Sequence, residues 1–414
     1  MSTQIQVTPV AASGIWGIAN TSGVYTYYTT LTLAMTAATA GQTIELFADV
    51  TETAAVNVTL KNGVSINGNG HTYTYTSTTG NCFTIGNSST VHIYNLKIAR
   101  TNTTPTGAYI FYFTSGSAVY TNCSLYCRNV YVYYTFTTST GGTPVIYNDG
   151  FTGFTVDGLF AQVNGSGYVY SAVGGTGAGI FNNCTAISTG TGSGMNIDAG
   201  SSADNCYVSV NSGTGAAIAS RISNSRIMSD TGVAVSAVAP NQSFRQGTAA
   251  NCYLYSRTYR VAQDTLCTDS TLISESGFCS VGSALYNCYC YTNTSGVAGG
   301  NFNQPEFYNC YLISAAAVTI PSGIGVTLIN SQVVCSWNNA GGHALNVGNN
   351  YGAASYIYNS RIAVTNSSAN CLKGSVAVNI SYSNNVFSGA TTPVNANVTQ
   401  LVINVQDSQG NILV

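Results

Sequence analysis

The sequence predicts an all-β chain: a right-handed parallel β-helix of about 15 coils, opened by a short N-terminal capping helix. Three observations predict it. A phrase built on Asn followed by a small residue, most often Cys, recurs about every 22 residues. The residues around it alternate apolar and polar with a period of two. Charge is scarce: of 414 residues, 11 are Lys or Arg and 13 are Asp or Glu, 6% of the chain, against about 25% in an ordinary globular domain.

Composition narrows the function classes. A net charge of −2 without clustered Lys and Arg argues against a nucleic-acid binder, which must neutralise phosphates. Helical bundles and coiled coils are disfavoured, because their exposed faces are built from Glu, Lys and Arg. A hydrophobic content of 45% and an aromatic content of 11% argue against disorder. The rest is rich in Thr, Val and Tyr, which suit strands, and in Gly and Asn, which suit tight turns.

Along the chain, residues 1–25 read as an extended arm or attachment segment and residues 26–414 as one β-helix domain. The opening stretch has neither the basic start nor the unbroken apolar run of a secretory leader. No run of 18 apolar residues offers a membrane span. Thr30-Leu-Thr-Leu-Ala-Met-Thr-Ala-Ala-Thr39 has an apolar side and predicts the capping helix. Gly41-Gln-Thr-Ile-Glu-Leu-Phe47, Val56-Asn-Val-Thr-Leu60 and Val64-Ser-Ile-Asn-Gly-Asn-Gly70 follow as the first strands.

The repeat phrase then reads Tyr120-Thr-Asn-Cys-Ser-Leu125, Phe181-Asn-Asn-Cys-Thr-Ala186, Ile222-Ser-Asn-Ser-Arg-Ile227, Phe307-Tyr-Asn-Cys-Tyr-Leu312 and Ile357-Tyr-Asn-Ser-Arg-Ile362. Its small residue falls at Cys184, Cys206, Ser225, Cys252, Ser270, Cys288, Cys310, Ser331, Ser360 and Asn385, at intervals of 18 to 29 residues. Weaker matches stand at Gly68, Leu96, Cys123, Gly158 and Ser408. One solenoid coil per repeat accounts for this period. A leucine-rich repeat needs a leucine consensus, absent here, and a propeller needs a period of about 40. Val398–Leu413 reads as strand, turn, strand, closing or extending the last coil.

Alternation assigns faces. With the small residue at position zero, positions zero and plus two share one face. That face pairs Cys206 with Val208, Ser225 with Ile227, Cys252 with Leu254, Ser270 with Leu272, Cys310 with Leu312, Ser331 with Val333 and Ser360 with Ile362. Small then aliphatic suits a narrow interior, so the cysteines are expected as a stacked internal column of free thiols. The preceding Asn suits a bend in left-handed backbone, and stacked Asn side chains can hydrogen-bond along the axis.

There are 13 cysteines. A zinc site wants CxxC or Cys/His pairs. Only Cys288-x-Cys290 and Cys123-x3-Cys127 come close, and neither has a histidine nearby. No metal and no cofactor are expected. The spacings also exceed those of small disulfide-stapled domains.

The helix of Thr30–Thr39, the Gly41-x-Thr-Ile44 phrase and the Asn-Cys turns resemble those of the pectate-lyase-like superfamily of right-handed parallel β-helices. The resemblance spans roughly residues 25–410. It implies that fold, with a capping helix on the first coil. It does not fix a function, because the fold hosts lyases, hydrolases, adhesins and viral spikes. Enzymes of the superfamily carry calcium-binding acidic clusters with a catalytic Arg, or an Asp constellation with adjacent aspartates. This chain departs from both: no two of its carboxylate residues are adjacent, and most glycosidase mechanisms need two carboxylates at workable separation.

Distant residues can still meet in a solenoid. Position plus five gives Asp230, Arg257 and Glu275 on successive coils. They read as a surface ion ladder, with an acid/base site as the alternative. Asp264/Asp269 and Asp198/Asp204 are further pairs, and Asp269 replaces the ladder Asn. His71, His92 and His343 are isolated, without Ser-His-Asp spacing. Gly174-Gly-Thr-Gly-Ala-Gly179 lacks the Lys of a phosphate loop and reads as turns.

Position plus one forms an outward column: Tyr207, Arg226, Tyr253, Tyr289, Tyr311 and Arg361, interrupted by Thr271 and Gln332. Two readings stand together: contact with sugar rings or a partner chain, and cross-coil packing that stabilises the sheet itself. Tyr109–Phe113 and Tyr131–Phe136 carry aromatics on both faces, which marks an interface.

No catalytic residue is assigned. The chain resembles the fibre and spike proteins of viruses, bacteriophage tail spikes in particular. That resemblance implies a non-catalytic structural or adhesive subunit of a virion appendage, made in the cytoplasm without a signal peptide. Its expected partners are further copies of itself, as a homotrimer or fibre, other virion proteins, and cell-surface polysaccharide. The alternatives are a polysaccharide-degrading lyase or hydrolase on the same fold, a subunit of an extracellular filament, and a non-viral adhesin.

Overall fold

A computed structural model describes residues 15–53, 57–77, 80–86, 88–102, 109–114, 122–136, 144–148, 153–172, 178–237, 247–281, 283–293, 298–299, 306–315, 318–320, 325–336, 343–347, 355–374 and 378–401. The chain is a parallel β-helix that divides into two compact units, residues 1–192 and 193–414.

In the first unit, Trp16–Ala19 pairs antiparallel with Tyr25–Tyr28 and with Thr43–Leu46, and Trp16 is fully buried. Residues 16–19 of the segment read as an extended arm or attachment segment therefore lie in this sheet. Its residues 1–14 lie outside the described residues. The helix α1, Leu31–Ala37, follows as expected. Thr30 caps it by accepting from the Leu33 N–H, and Lys61 Nζ donates to the Thr36 and Ala38 carbonyls at 2.6 and 3.0 Å, closing its C-terminal end. Leu31, Ala34 and Met35 face inward.

Parallel pairing takes over from Thr43–Leu46, which runs beside Ser65–Asn67. The long strands Thr90–Asn102, Asn122–Phe136 and Gly153–Asn164 lie side by side. Each turns a corner at one residue in left-handed conformation: Asn95, Asn129 and Gly158, with φ of 49°, 56° and 76°. Val130 pairs with both Leu96 and Leu159. This corrects two sequence assignments. The small-residue position in these coils is taken by Leu96, Val130 and Leu159; Cys123 is the second residue of its strand, well before the corner, and Gly158 is the corner itself, where glycine carries no Cβ penalty.

Inside this unit Arg100 is buried and, among the described residues, has no carboxylate partner. Its guanidinium donates to the carbonyls of Ser77, Gly80 and Tyr109 at 2.9–3.1 Å. It also lies 4.8 Å from the Tyr75 ring centre and 5.4 Å from that of Tyr134.

In the second unit each coil carries up to three strands, as in Ala216–Ile218, Arg221–Ser223 and Arg226–Ser229. Each pairs in parallel with its counterpart in the next coil. The expected interior is present. Cys206, Ser225, Cys252, Ser270, Cys288, Cys310, Ser331 and Ser360 are buried, as are Val208, Ile227, Leu254, Leu272, Leu312, Val333 and Ile362. All thirteen cysteines are free, twelve of them buried, and burial raises the thiols of Cys252, Cys267 and Cys279.

The corner residues Asn205, Asn224, Asn251, Asp269, Asn287, Asn309, Asn330, Asn359 and Asn384 all hold φ between 49° and 55°. A third interior column lies two residues beyond the aliphatic one. There Ser229, Ser256, Ser274 and Thr292 donate across the coil to the carbonyls of Gly213, Gly232, Tyr259 and Gly277.

Candidate functional site

The outward column of the second unit stands on strands whose register is continuous. Tyr207 pairs with Arg226, Arg226 with Tyr253, Tyr253 with Thr271, and Thr271 with Tyr289. Tyr289 then pairs with Tyr311, Tyr311 with Gln332, and Gln332 with Arg361. Coil lengths vary, but the variation falls outside these strands, so the six candidate residues share one face of one sheet. Arg226, Tyr289, Tyr311 and Arg361 are exposed, and Tyr207 and Tyr253 are half-buried.

Part of the column packs on itself. Arg226 lies 5.0 Å from the Tyr253 ring centre, and the Tyr289 and Tyr311 rings are 5.7 Å apart. Desolvation between neighbouring strands, and then the Tyr311 phenol, raises the Tyr289 hydroxyl above its ordinary range. Tyr289 and Tyr311 each keep 37% of their surface open, enough to present a ring face. Two residues further along each strand, on the same face, run Met228, Tyr255, Ile273, Tyr291, Ile313 and Val334, all half-buried.

The corner ladder borders this column. Asn224 donates to Asp204 and Asn251 to Asn224, both at 2.7 Å. Asn287 donates to Asp269 at 3.0 Å and Asn309 to Asn287 at 3.1 Å. Asp204 and Asp269 thus act as acceptors that begin each run of amides. A shallow groove of about 560 Å³ opens where ladder and column meet, over Asn309, Tyr311, Asn330, Gln332, Asn359 and Arg361.

Two of the position-plus-five residues meet in an ion pair. Arg257 grips Asp230 with two contacts, Nη2 donating to Oδ2 at 2.6 Å and Nε facing Oδ1 at 2.5 Å. Glu275 accepts from the Tyr255 hydroxyl at 2.6 Å. Desolvation and the bond to Glu275 push that hydroxyl up to about 12. A phenol that holds its proton this firmly is no general base at neutral pH. The arrangement is an exposed Asp230–Arg257 ion pair with a Tyr255–Glu275 hydrogen bond beside it.

Elsewhere, His71 Nδ1 lies 3.3 Å from Asp49 Oδ1, and His92 stacks on Tyr126 with ring centres 5.1 Å apart. Among the described residues, no three His, Cys, Asp or Glu side chains gather where they could hold a metal ion. No helix among them is long and apolar enough to cross a membrane. In the first unit, Tyr131 and Tyr133 are exposed and flank Phe160, with ring centres 5.5 and 6.2 Å from it. Phe111, Phe113 and Tyr134 of the two aromatic clusters point inward instead.

No protein family and no curated protein sequence matches the chain. Solved structures do resemble it. One is a chain of the Vag8–C1 inhibitor complex, at a TM-score of 0.42 and 12% identity, over 85% of this chain and 99% of that one. The A-module of the mannuronan C-5 epimerase AlgE4 of Azotobacter vinelandii is similar at 0.32 and 11%, over 89% and 93%. The tailspike protein of E. coli bacteriophage HK620, solved with a pentasaccharide, is similar at 0.34 and 9%, over 83% and 73%. At these identities the likeness concerns fold alone.

Proposed function

We propose that the chain is a non-catalytic, adhesive β-helix subunit whose outward Tyr/Arg column contacts glycan. The observation that carries this reading is the unbroken register from Tyr207 to Arg361. It sets aromatic rings and guanidinium groups on one sheet face at a spacing of about 4.8 Å per coil. Rings with one open face stack on the apolar faces of sugars, and Arg and Asn bind their hydroxyls. The pairing of Asp230 with Arg257 and the protonated Tyr255 speak for binding over catalysis.

A virion appendage or surface fibre, assembled as a homotrimer or longer fibre, is the setting we infer. A surface poor in charge favours association, and free thiols fit synthesis in a reducing compartment. The test is polysaccharide binding by the intact chain and by Tyr253→Ala/Tyr289→Ala/Tyr311→Ala. The reading expects binding without chain shortening, lost in the triple variant while circular dichroism stays unchanged. Equal binding by both proteins would remove the column from the site.

A further inference from the structure

We infer that the groove over Asn309, Asn330 and Asn359 is a subsite for an anionic group of a glycan, with Arg361 as its counter-ion. The inference rests on the glycan-contact reading and adds the chemical class of the ligand.

Three independent observations meet in this groove. The first is the state of Arg361. The other arginines of this face are engaged, Arg226 by the Tyr253 ring and Arg257 by Asp230. Arg361 is exposed and, among the described residues, has no carboxylate, carbonyl or ring partner.

The second is local charge. Residues 307–406 contain no Asp or Glu, while Arg361 and Lys373 lie within them. Glu306, on the strand that leads into Asn309, is the carboxylate nearest in sequence, and none follows it until Asp407, so Arg361 has no acidic neighbour along its own stretch of chain.

The third is a break in the amide ladder. Up to Asn309 the corner amides donate along the axis. Asn330 and Asn359 hold the same left-handed corners, at φ of 50° and 51°, yet their side chains make no hydrogen bond among the described residues. Both line the groove with Arg361. Their donors and acceptors are free for a ligand just where the unpaired cation stands.

The spacing suits a saccharide. Tyr311 and Arg361 are separated by the strand carrying Gln332, about 9.6 Å at the usual strand interval. A sugar ring on Tyr311 leaves room for a charged substituent to reach the guanidinium. Carboxylate, sulfate and phosphate all present the paired oxygens that a guanidinium binds with two parallel hydrogen bonds.

The experiment measures binding of the full chain to four soluble polysaccharides: a polyuronate, a sulfated glycan, a phosphate-bearing glycan and neutral dextran. Each is tested at low salt and at 0.5 M salt. At least one anionic glycan should bind at least 10-fold more tightly than dextran, and the preference should shrink at 0.5 M salt. Arg361→Gln should remove that preference. Asn330→Gly/Asn359→Gly, which keeps the corners but deletes the amides, should weaken anionic binding several-fold. Arg257→Gln should change nothing, because Arg257 is already neutralised. Equal binding to neutral and anionic glycans, unchanged by Arg361→Gln, would overturn the anionic subsite and leave the glycan-contact reading standing. Failure of all four to bind would overturn both.

Discussion

Asn251 donates its side-chain N–H to Oδ1 of Asn224 in the adjacent coil at 2.7 Å, and both residues hold φ near 50°. The two facts are one design. Left-handed backbone turns the corner between sheets, and Asn tolerates it better than other residues with a Cβ. The side chain freed at that corner then bonds along the axis. We expect Asn251→Ala to lose both, about 1–2 kcal/mol for the backbone and about 1 kcal/mol for the bond. Asn251→Gly should lose only the second. Urea midpoints in the order wild type, Gly, Ala would support this division; an Ala variant as stable as the Gly variant would refute it.

That corner also shows how much of the fold was legible in the sequence. Asn before a small residue marked the corners because only a few residue types suit φ > 0. The buried Cys/Ser position and the aliphatic position beyond it followed from two-residue alternation. The signal weakened where another residue could do the same job. Asn129-Val130 and Gly158-Leu159 make the same corner with a larger residue at position zero, so matching on Asn-Cys chose Cys123 instead. The interior hydroxyls of Ser229, Ser256 and Ser274 escaped notice, because their carbonyl partners lie across the coil and not in sequence. The outward column was legible residue by residue. The groove was not, since it depends on which ladder amides remain unpaired.

Arg100 is a second structural expectation. Its guanidinium is almost fully buried, bonded to three carbonyls and set against two rings. Removing it strands carbonyl acceptors in a closed interior. We expect Arg100→Met to cost about 2–4 kcal/mol. Arg100→Lys should recover little, because an ammonium cannot present a planar fork to three acceptors while stacking on Tyr75 and Tyr134. A loss below about 0.5 kcal/mol for Arg100→Met would show that this cation is dispensable.

The thiols give a pH expectation. Desolvation pushes Cys252 up to about 11 and Cys279 up to about 12, from an ordinary value of 9.0. Between pH 9 and 11 the unfolded chain releases the Cys252 proton while the folded chain keeps it. Stability from this source is therefore complete below pH 9 and falls as pH rises through that window. Urea midpoints should hold steady from pH 7 to 8.5 and drop by pH 10.5, with a smaller drop in Cys252→Ser. At neutral pH that variant should be close to wild type, because Ser225 and Ser270 occupy the same column. Thiol reagents should label none of Cys184, Cys206, Cys252, Cys288 and Cys310 before unfolding. Rapid labelling of any of them in the native protein would contradict the closed interior.

The last expectation concerns catalysis. General acid–base chemistry needs a titratable group free to exchange its proton near the working pH, usually beside a partner. The carboxylates that the coil register brings forward for such a role are Asp230 and Glu275. Asp230 is held by two contacts from Arg257, and Glu275 accepts from a Tyr255 hydroxyl that keeps its proton up to about pH 12. This cluster stands on the outer face, where Asp230 and Arg257 retain 40% and 51% of their side-chain surface. Solvent there leaves an ion pair worth about 0–1 kcal/mol, and little field with which to tune an acid. We therefore expect no shortening of acidic or neutral polysaccharides by the intact chain between about pH 5 and 9, with or without calcium. Size-exclusion profiles of the glycans after long incubation are the measurement. Shortening that disappears in Glu275→Gln or Asp230→Asn would make this cluster an active site and the chain a depolymerase.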